Sequence, residues 1–218
     1  MQIAIDGPSG AGKSTIAKLL ATKMNCIYLD TGAMYRTVGL LAVRTNTDRH
    51  DDAALAELLK NADIRVLRVD GRQHMALNGE DVENLIRTPE ISMAASDVAS
   101  CPSVRRALVA LQQKIAAGCD VVMDGRDIGT RVLPDADYKF FLTASDKVRA
   151  QRRYDELKAK GESVTLQEVL EDVRRRDEQD TTRAESPLTM ADDATEVETD
   201  DLGIDEVVTV LMALMGRF

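Results

Sequence analysis

Aromatic residues are scarce in this chain of 218 residues, which has three Phe, four Tyr and no Trp. So few rings argue against a protein that works by stacking bases along a nucleic-acid strand. Basic residues are also in the minority, since 28 Lys and Arg face 37 Asp and Glu and give a formal net charge of −9. Nonspecific binding to nucleic acid or to an anionic membrane needs an excess of Lys and Arg. We therefore expect neither partner, whereas a small anionic ligand needs only a local basic cluster.

Cysteine and histidine are too few and too scattered to predict a disulfide framework or a metal site. Cys26, Cys101 and Cys119 are widely spaced with no C-x-x-C pair, and His50 and His74 stand in unrelated contexts. Such cysteines are typical of reduced thiols in a reducing compartment. No apolar run approaches the roughly 18 residues needed to cross a bilayer, and the first residues do not resemble an export signal. The predicted location is cytoplasmic.

Short apolar strands alternate with amphipathic helices along most of the chain. The predicted strands are residues 1–6, 26–30, 119–124, 138–142 and 194–199. Apolar residues at helical spacing predict helices that follow residue 14 and that cover 52–60, 104–115, 166–173 and 207–215. Residues 145–160, which are unusually polar, are also predicted to form a helix. This alternation is typical of βαβ units around a parallel sheet.

Residues of about 62–84 interrupt the alternation. One extended run ends at Asp70-Gly71, and a second, residues 73–77, ends at Asn78-Gly79. Asp-Gly and Asn-Gly are the dipeptides that best suit tight hairpin turns, because both central residues take a positive φ. We interpret the segment as a small antiparallel meander, and an irregular surface loop is the alternative.

The segment GPSGAGKS, residues 7–14, fits the P-loop pattern G-x-x-x-x-G-K-[ST] between a strand and a helix. Gly7 and Gly12 let backbone N–H groups surround a phosphate, and the helix that follows directs its positive end at the same anion. Lys13 supplies a charge, expected to be an exposed loop charge, and the Ser14 hydroxyl is a natural Mg²⁺ ligand. The pattern predicts a nucleoside triphosphate bound with Mg²⁺.

A P-loop alone does not distinguish a switch, a motor and a kinase. A GTPase would need the guanine-reading string N-K-x-D, which the sequence lacks. A motor ATPase is ordinarily larger and often contacts nucleic acid, which the acidic composition disfavours. A small-molecule kinase is the favoured interpretation, and a regulatory protein that hydrolyses ATP slowly is the alternative from another class.

Arginines suited to a second anion occur beside two strand ends. Guanidinium groups grip phosphate in a bidentate fork, and Asp30-Thr31 and Asp124–Asp127 each directly follow a predicted strand. Open α/β sheets bind ligands at this carboxyl edge. The local strings that combine these features are DTGAMYR (30–36), AASDVAS (94–100), DGRDIGT (124–130) and RRDEQDTTRAESPL (175–188).

With these strings the chain closely resembles the bacterial cytidylate kinases, in the nucleoside monophosphate kinase family. Further matching strings are IDGPSGAGKST, NGEDV, IRTPEIS, VRRAL and LPDADYKFFL. The resemblance implies an α/β fold: a parallel-sheet P-loop core with helices on both faces, a small antiparallel β insert in the monophosphate-binding region and a helical lid. One departure is ETDDL at 198–202, where the family tends to have an apolar residue before an Asp-Thr or Asp-Ser pair.

The resemblance also implies one kinase domain over residues 1–218. Its core would comprise 1–57, 97–145 and 164–218, its insert about 58–96 and its lid about 146–163. The implied activity is phosphorylation of CMP and dCMP by ATP with Mg²⁺, by a chain that we take to be a monomer. The alternative is a related P-loop kinase with another acceptor, such as UMP, AMP or a small acid.

Site residues follow from the same resemblance. Those implied to bind ATP are Gly7, Pro8, Ser9, Gly10, Ala11, Gly12, Lys13, Ser14 and Thr15, with Ser14 on the metal. Those implied to bind CMP are Thr31, Tyr35, Arg36, Ser96, Arg105, Arg126, Asp127, Arg176, Asp180 and Arg183. Among them Thr31, Arg36, Arg126 and Arg183 would hold the phosphate, Ser96, Arg105 and Asp127 would read the base, and Arg176 and Asp180 would lie near the sugar.

The implied chemistry needs no general base, because the acceptor is a phosphate oxygen that is already negative. Catalysis then consists of positioning and charge neutralisation during in-line transfer. The residues implied to do this are Lys13, Arg126, Arg149, Arg153 and Arg183.

Base choice gives a first testable prediction. Cytosine presents an amino donor and a ring-nitrogen acceptor, which suit the acceptor Asp127 and the donor Arg105. Uracil reverses both groups, and leaving them unpaired in a closed site costs several kcal/mol, on the order of a hundredfold in discrimination. We expect a strong preference for CMP over UMP that Asp127→Asn narrows, because an amide can donate to O4. The test is kcat/KM for both nucleotides; an unchanged ratio would show that Asp127 does not read the base.

Overall fold

A computed structural model describes residues 1–69 and 71–217. The chain divides into two compact units. The first unit comprises Met1–Tyr28 and Cys119–Phe218, and the second unit comprises Leu29–Gly118. Within the described ranges, no helix combines the length and the apolar character that a membrane span requires.

The elements include all the predicted strands and helices, together with two helices, Thr31–Arg44 and Pro89–Val98, that were not predicted from the sequence. In chain order they are β1 (Gln2–Asp6), α1 (Lys13–Met24), β2 (Ile27–Asp30), α2 (Thr31–Arg44), α3 (Asp52–Lys60), β3 (Ile64–Val69), β4 (Arg72–Leu77), β5 (Glu80–Asp81), α4 (Pro89–Val98), α5 (Pro102–Ala116), β6 (Val121–Gly125), β7 (Tyr138–Thr143), α6 (Asp146–Ala159), α7 (Leu166–Thr182), β8 (Thr195–Glu198) and α8 (Ile204–Leu214). A single 3₁₀ turn, Leu85–Arg87, precedes α4, and a π turn, Ile128–Val132, follows β6.

The main sheet has five strands in the order β2-β6-β1-β7-β8. Strand β1 pairs in parallel with β6 and with β7, and β7 pairs in parallel with β8. The first unit buries one apolar cluster between this sheet and its helices, with members such as Ile3, Ile5, Leu20, Phe140, Leu142, Val207 and Leu211. The predicted parallel sheet flanked by helices is confirmed, and β1 at its centre carries the P-loop at its carboxyl end.

The last strand is short and polar because it lies at the sheet edge. Of Thr195–Glu198 only Val197 is buried, and the others are exposed. The Thr199 N–H extends the pairing by donating to the Thr143 carbonyl at 2.8 Å. The strand predicted at 194–199 is therefore confirmed.

Helix α7 extends well beyond its apolar residues. A capping box begins it, in which Thr165 accepts from the Glu168 N–H and Glu168 accepts from the Thr165 N–H. Such a box satisfies two of the otherwise unpaired donors at a helix start. The helix continues to Thr182 through a densely charged stretch, which carries acceptor-side residues along its last turns.

In the second unit, β3, β4 and β5 form an antiparallel sheet in that order. Asn78 and Gly79, between β4 and β5, have φ values of 51° and 86°, so the predicted Asn-Gly turn is confirmed. The other predicted turn includes Asp70, which lies outside the described residues. Met75 and Leu77 of the meander join the apolar cluster of helices α2 to α5. The narrower division into core, insert and lid remains a prediction.

Candidate active site

The P-loop connects β1 to α1 in the first unit, and its glycines are required by geometry. Gly7 has φ of 143°, and a Cβ atom there would lie 2.1 Å from the Leu142 carbonyl oxygen. Gly12 precedes α1 with φ of 86° and provides no side-chain cap. The first N–H groups of α1 therefore have no capping side chain, which is the arrangement that suits an anion at a helix N-terminus.

Lys13 is buried, with 5% of its surface exposed, so the expectation of an exposed loop charge is wrong. Its Nζ donates to the Pro8 carbonyl at 2.6 Å, within the loop itself. Burial lowers the pKa of Lys13 to about 7, and the positive charge of Arg126 contributes, against the opposing pull of Asp124 and Asp180. Burial of a charged ammonium group in this position destabilises the charged form, and a nearby bound anion would stabilise it again.

Asp124, near the end of β6, joins the P-loop to β2. The Ser14 hydroxyl donates to Asp124 Oδ2 at 2.7 Å, and the Tyr28 hydroxyl donates to Oδ1 at 2.8 Å. Because the Ser14 O–H donates its hydrogen bond to the carboxylate, the lone pairs of the hydroxyl oxygen remain available to a cation. Asp124 was not among the predicted site residues, although an acidic residue at the end of a buried strand is a signal that could have identified it.

Asp6, the last residue of β1, organises the segment that follows β6. Its carboxylate accepts from the N–H groups of Ile128 at 2.8 Å and Gly129 at 2.7 Å. Burial raises the pKa of Asp6 to about 6, the two N–H donors oppose the rise, and the charge of Asp127 adds to it. Asp6 thereby fixes the backbone directly after the predicted base-reading residue Asp127. Sequence reasoning did not identify this role.

The first unit brings together four predicted acceptor-side residues. Arg126 Nε donates to Asp180 Oδ2 at 2.6 Å, and Arg183 Nη1 lies 3.4 Å from Asp180 Oδ1. Burial would raise the pKa of Asp180, but Arg126 and then Arg183 hold it below its ordinary value. Burial lowers the pKa of Arg176, and the charges of Arg153 and Arg126 lower it further against the pull of Asp172. Positive charge therefore concentrates here, as an anion site requires.

Arg149 and Arg153, two of the three arginines in the predicted lid segment, differ in their contacts. Arg149 is 4% exposed, and it donates to the Ser9 carbonyl at 3.0 Å and to both oxygens of Asp177 at 2.9 and 2.6 Å. Arg153 is 31% exposed and pairs with Glu156 at 2.8 Å. Arg149 thus ties α6 to the P-loop and to α7. Asp177 was also not predicted, because a motif does not reveal a partner 28 residues away.

In the second unit, Asp30 ends β2 and caps α2 by accepting from the Ala33 N–H at 2.9 Å. Its Oδ2 accepts from Arg36 Nη2 and from Arg87 Nη1, both at 2.9 Å. Burial would raise the pKa of Asp30, but Arg36 and Arg87 outweigh it and hold the pKa below its ordinary value. Thr31, the first residue of α2, is buried beside it.

Tyr35 and Arg105 lie together in the second unit. The guanidinium carbon of Arg105 lies 5.6 Å from the centroid of the Tyr35 ring, and its Nη1 donates to the Ala99 carbonyl at 3.3 Å. Arg105 is 2% exposed, and Ser96 lies half-buried in α4. The third predicted base reader, Asp127, is buried in the first unit.

A family model described as cytidylate kinase matches residues 3–217 of this chain. The cytidylate kinase of Caldicellulosiruptor bescii is 50% identical over 217 residues, which cover 100% of this chain and 96% of that protein. The cytidylate kinase of Bacillus subtilis is 48% identical over 212 residues, covering 97% and 95%. A crystal structure of shikimate kinase from Bacteroides thetaiotaomicron is similar in fold, with a TM-score of 0.52, 16% identity and coverage of 99% and 98%.

The buried position of Lys13 makes Lys13→Met a test of activity against stability. The ordinary pKa of 10.5 falls to about 7 in the folded chain, so the unfolded chain binds more protons between these values. The charge of Lys13 therefore destabilises the fold below about pH 7, and the effect fades as the pH rises to about 10. We expect Lys13→Met to lose turnover by about 100-fold or more, while its nucleotide-free form becomes more stable than the parent at pH 6.

The measurement pairs the rate of ADP formation with denaturant unfolding at pH 6 and pH 9.5. A variant that keeps near-normal turnover would contradict the assignment of Lys13 to the triphosphate. A variant that is less stable than the parent at pH 6 would contradict the account of its burial.

Proposed function

The chain belongs to the cytidylate kinase family, and we propose that it transfers the γ-phosphoryl group of ATP to the phosphate of CMP or dCMP. The observation that carries this is the match of almost the whole chain to cytidylate kinases, and the charges within the first unit agree with it. The charge of Arg126, on the predicted acceptor side, contributes to the lowered pKa of Lys13 in the P-loop. Two cations held close together suit a reaction in which two anionic groups must approach each other.

Ser14 and Asp124 supply a suitable donor set for Mg²⁺. In phosphoryl-transfer sites Mg²⁺ is held by one or two protein oxygens together with substrate phosphates and waters. The Ser14 oxygen, with its proton directed to Asp124 at 2.7 Å, fits that role. When held by the Ser14 oxygen, the ion would neutralise negative charge that develops on the transferring phosphoryl group.

The other charges would hold and screen the two phosphates. A bound triphosphate would raise the pKa of Lys13 from about 7 and keep the group protonated. Arg126 and Arg183 share Asp180, which fixes the direction of both guanidinium groups before substrate arrives. Preorganised cations of this kind stabilise the transferring group without reorganisation. Arg149, bound to Ser9, is a positioning residue for the P-loop, and Arg153 is assigned to the transferring group.

In the second unit we assign Arg36 and Thr31 to the CMP phosphate, and Arg105, Tyr35 and Ser96 to the base. Arg36 Nε is buried, and no acceptor within the described residues bonds to it. A buried donor left in that state costs about 1–3 kcal/mol, which a phosphate oxygen would recover. From the first unit we assign Asp127 to the base and Arg176 with Asp180 to the sugar.

The test is the rate of ADP formation from ATP and Mg²⁺ with CMP, dCMP, UMP, AMP and shikimate as separate acceptors. We expect CMP and dCMP to raise the rate at least about 100-fold over the acceptor-free rate, and the others far less. A similar response to AMP or shikimate would favour the alternative of a P-loop kinase with another acceptor. No response to either cytidine nucleotide would contradict the proposal.

A further inference from the structure

Two residues outside the predicted site converge on Asp30 from the meander and the turn that follows it. Gln73 of β4 pairs with the Asp30 backbone at two points: its Oε1 accepts from the N–H at 2.8 Å and its Nε2 donates to the carbonyl at 3.1 Å. Arg87, in the 3₁₀ turn, donates to the Asp30 carboxylate at 2.9 Å. The backbone and the side chain of Asp30 are thus held by separate partners.

Arg87 is itself held in place. Its Nε donates to Glu83 Oε1 at 2.9 Å, and its Nη2 pairs with the same carboxylate. Glu83 lies two residues beyond β5, and its Oε2 accepts from the Met75 N–H of β4 at 3.3 Å, so the antiparallel sheet holds the carboxylate that binds Arg87. The whole set belongs to the second unit, and each member bonds to the next within hydrogen-bond distance.

This arrangement leaves part of the positive charge of Arg36 available to a ligand. Asp30 Oδ2 accepts from Arg36 Nη2 at 2.9 Å and also from Arg87. Because Arg87 shares this oxygen, the carboxylate is only partly neutralised by Arg36, and the Arg36 guanidinium keeps charge for another anion. The buried Nε of Arg36, which bonds to no acceptor in the described part of the chain, is the donor that such an anion would meet.

We propose that Gln73 and Arg87 are positioning residues for the acceptor phosphate, which act by fixing the carboxylate that orients Arg36. This inference rests on the proposed function, and it gives a role to the meander and to the turn that follows it, because together they provide these two partners of Asp30. Gln73 fixes the direction in which β2 ends, and Arg87 fixes the carboxylate itself. A small-molecule phosphate monoester is the ligand chemistry that the arrangement serves.

A purely structural role is the competing explanation, since the same contacts would also stabilise the start of α2. The two explanations differ in what they expect of substrate affinity. A stabilising contact changes unfolding and affects both substrates alike, whereas a positioning contact weakens CMP and leaves ATP unchanged. Gln73→Leu is the sharper variant, because it removes the amide without changing any charge.

The experiment compares Gln73→Leu, Arg87→Ala and Arg87→Lys with Arg44→Ala as the matched control. Arg44 ends α2 and pairs with Glu80 of β5 at 2.6 Å, so it is another arginine ion pair between α2 and the meander, but one that does not involve Asp30. Calorimetric Kd values for CMP and for ATP are measured together with KM and kcat. Because Kd is measured without turnover, a loss of affinity is distinguished from a loss of activity.

We expect Kd and KM for CMP to rise about tenfold in Gln73→Leu and Arg87→Ala, the effect of losing one oriented charge-assisted contact. Arg87→Lys should recover part of the loss, and Kd for ATP should stay within about twofold. Arg44→Ala should change neither Kd. Equal affinity for CMP in the parent, Gln73→Leu and Arg87→Ala would overturn the inference, and so would an equal loss for ATP or an equal effect in Arg44→Ala. Failure of the parent itself to bind CMP would instead overturn the proposed function, and the inference with it.

Discussion

Buried carboxylates at the ends of strands hold the groups that we assign to the binding of phosphate and its metal ion. Asp6 ends β1, Asp30 ends β2, and Asp124 is the penultimate residue of β6. An ionised carboxylate taken out of water costs several kcal/mol unless donors surround it. Each of these aspartates is therefore surrounded by donors, and the donors are a loop backbone, a pair of guanidinium groups and a pair of hydroxyls. The hydrogen bonds that each carboxylate accepts therefore fix the positions of these donor groups.

The donors around these carboxylates differ in charge, and the pKa values of the aspartates differ accordingly. Two backbone N–H groups do not offset the burial of Asp6, whose pKa rises to about 6, whereas two guanidinium groups hold the pKa of Asp30 below its ordinary value. Lys13 and Arg176 show the opposite imbalance, because burial and neighbouring cations lower their pKa values. An anionic ligand corrects this imbalance, so nucleotide binding should return stability that the free protein lacks.

Local patterns predicted most of the fold. The P-loop followed from glycine and lysine spacing, and the meander from two turn dipeptides, of which the described one has the required positive φ at Asn78 and Gly79. Long-range pairs could not be predicted in this way. Ser14 and Asp124 are 110 residues apart, and Asp6 and Gly129 are 123 apart. The burial of Lys13 was missed for the same reason, because other parts of the chain, such as Leu142 and Arg149, pack against the loop.

The central claim is that strand-end carboxylates orient the groups that we assign to the phosphates and to their metal ion, as Asp124 does for Ser14. Asp124→Asn keeps the shape of the side chain and removes its charge. If Asp124 orients the Ser14 hydroxyl toward a Mg²⁺ site, Mg²⁺ should raise the ATP affinity of the variant less than that of the parent. The measurement is the Kd for ATP with and without Mg²⁺ in the parent and in Asp124→Asn, with the Kd for CMP as the internal control. The account predicts that the variant loses most of the Mg²⁺-dependent gain and keeps its affinity for CMP. A folded variant that retains the full gain would contradict it.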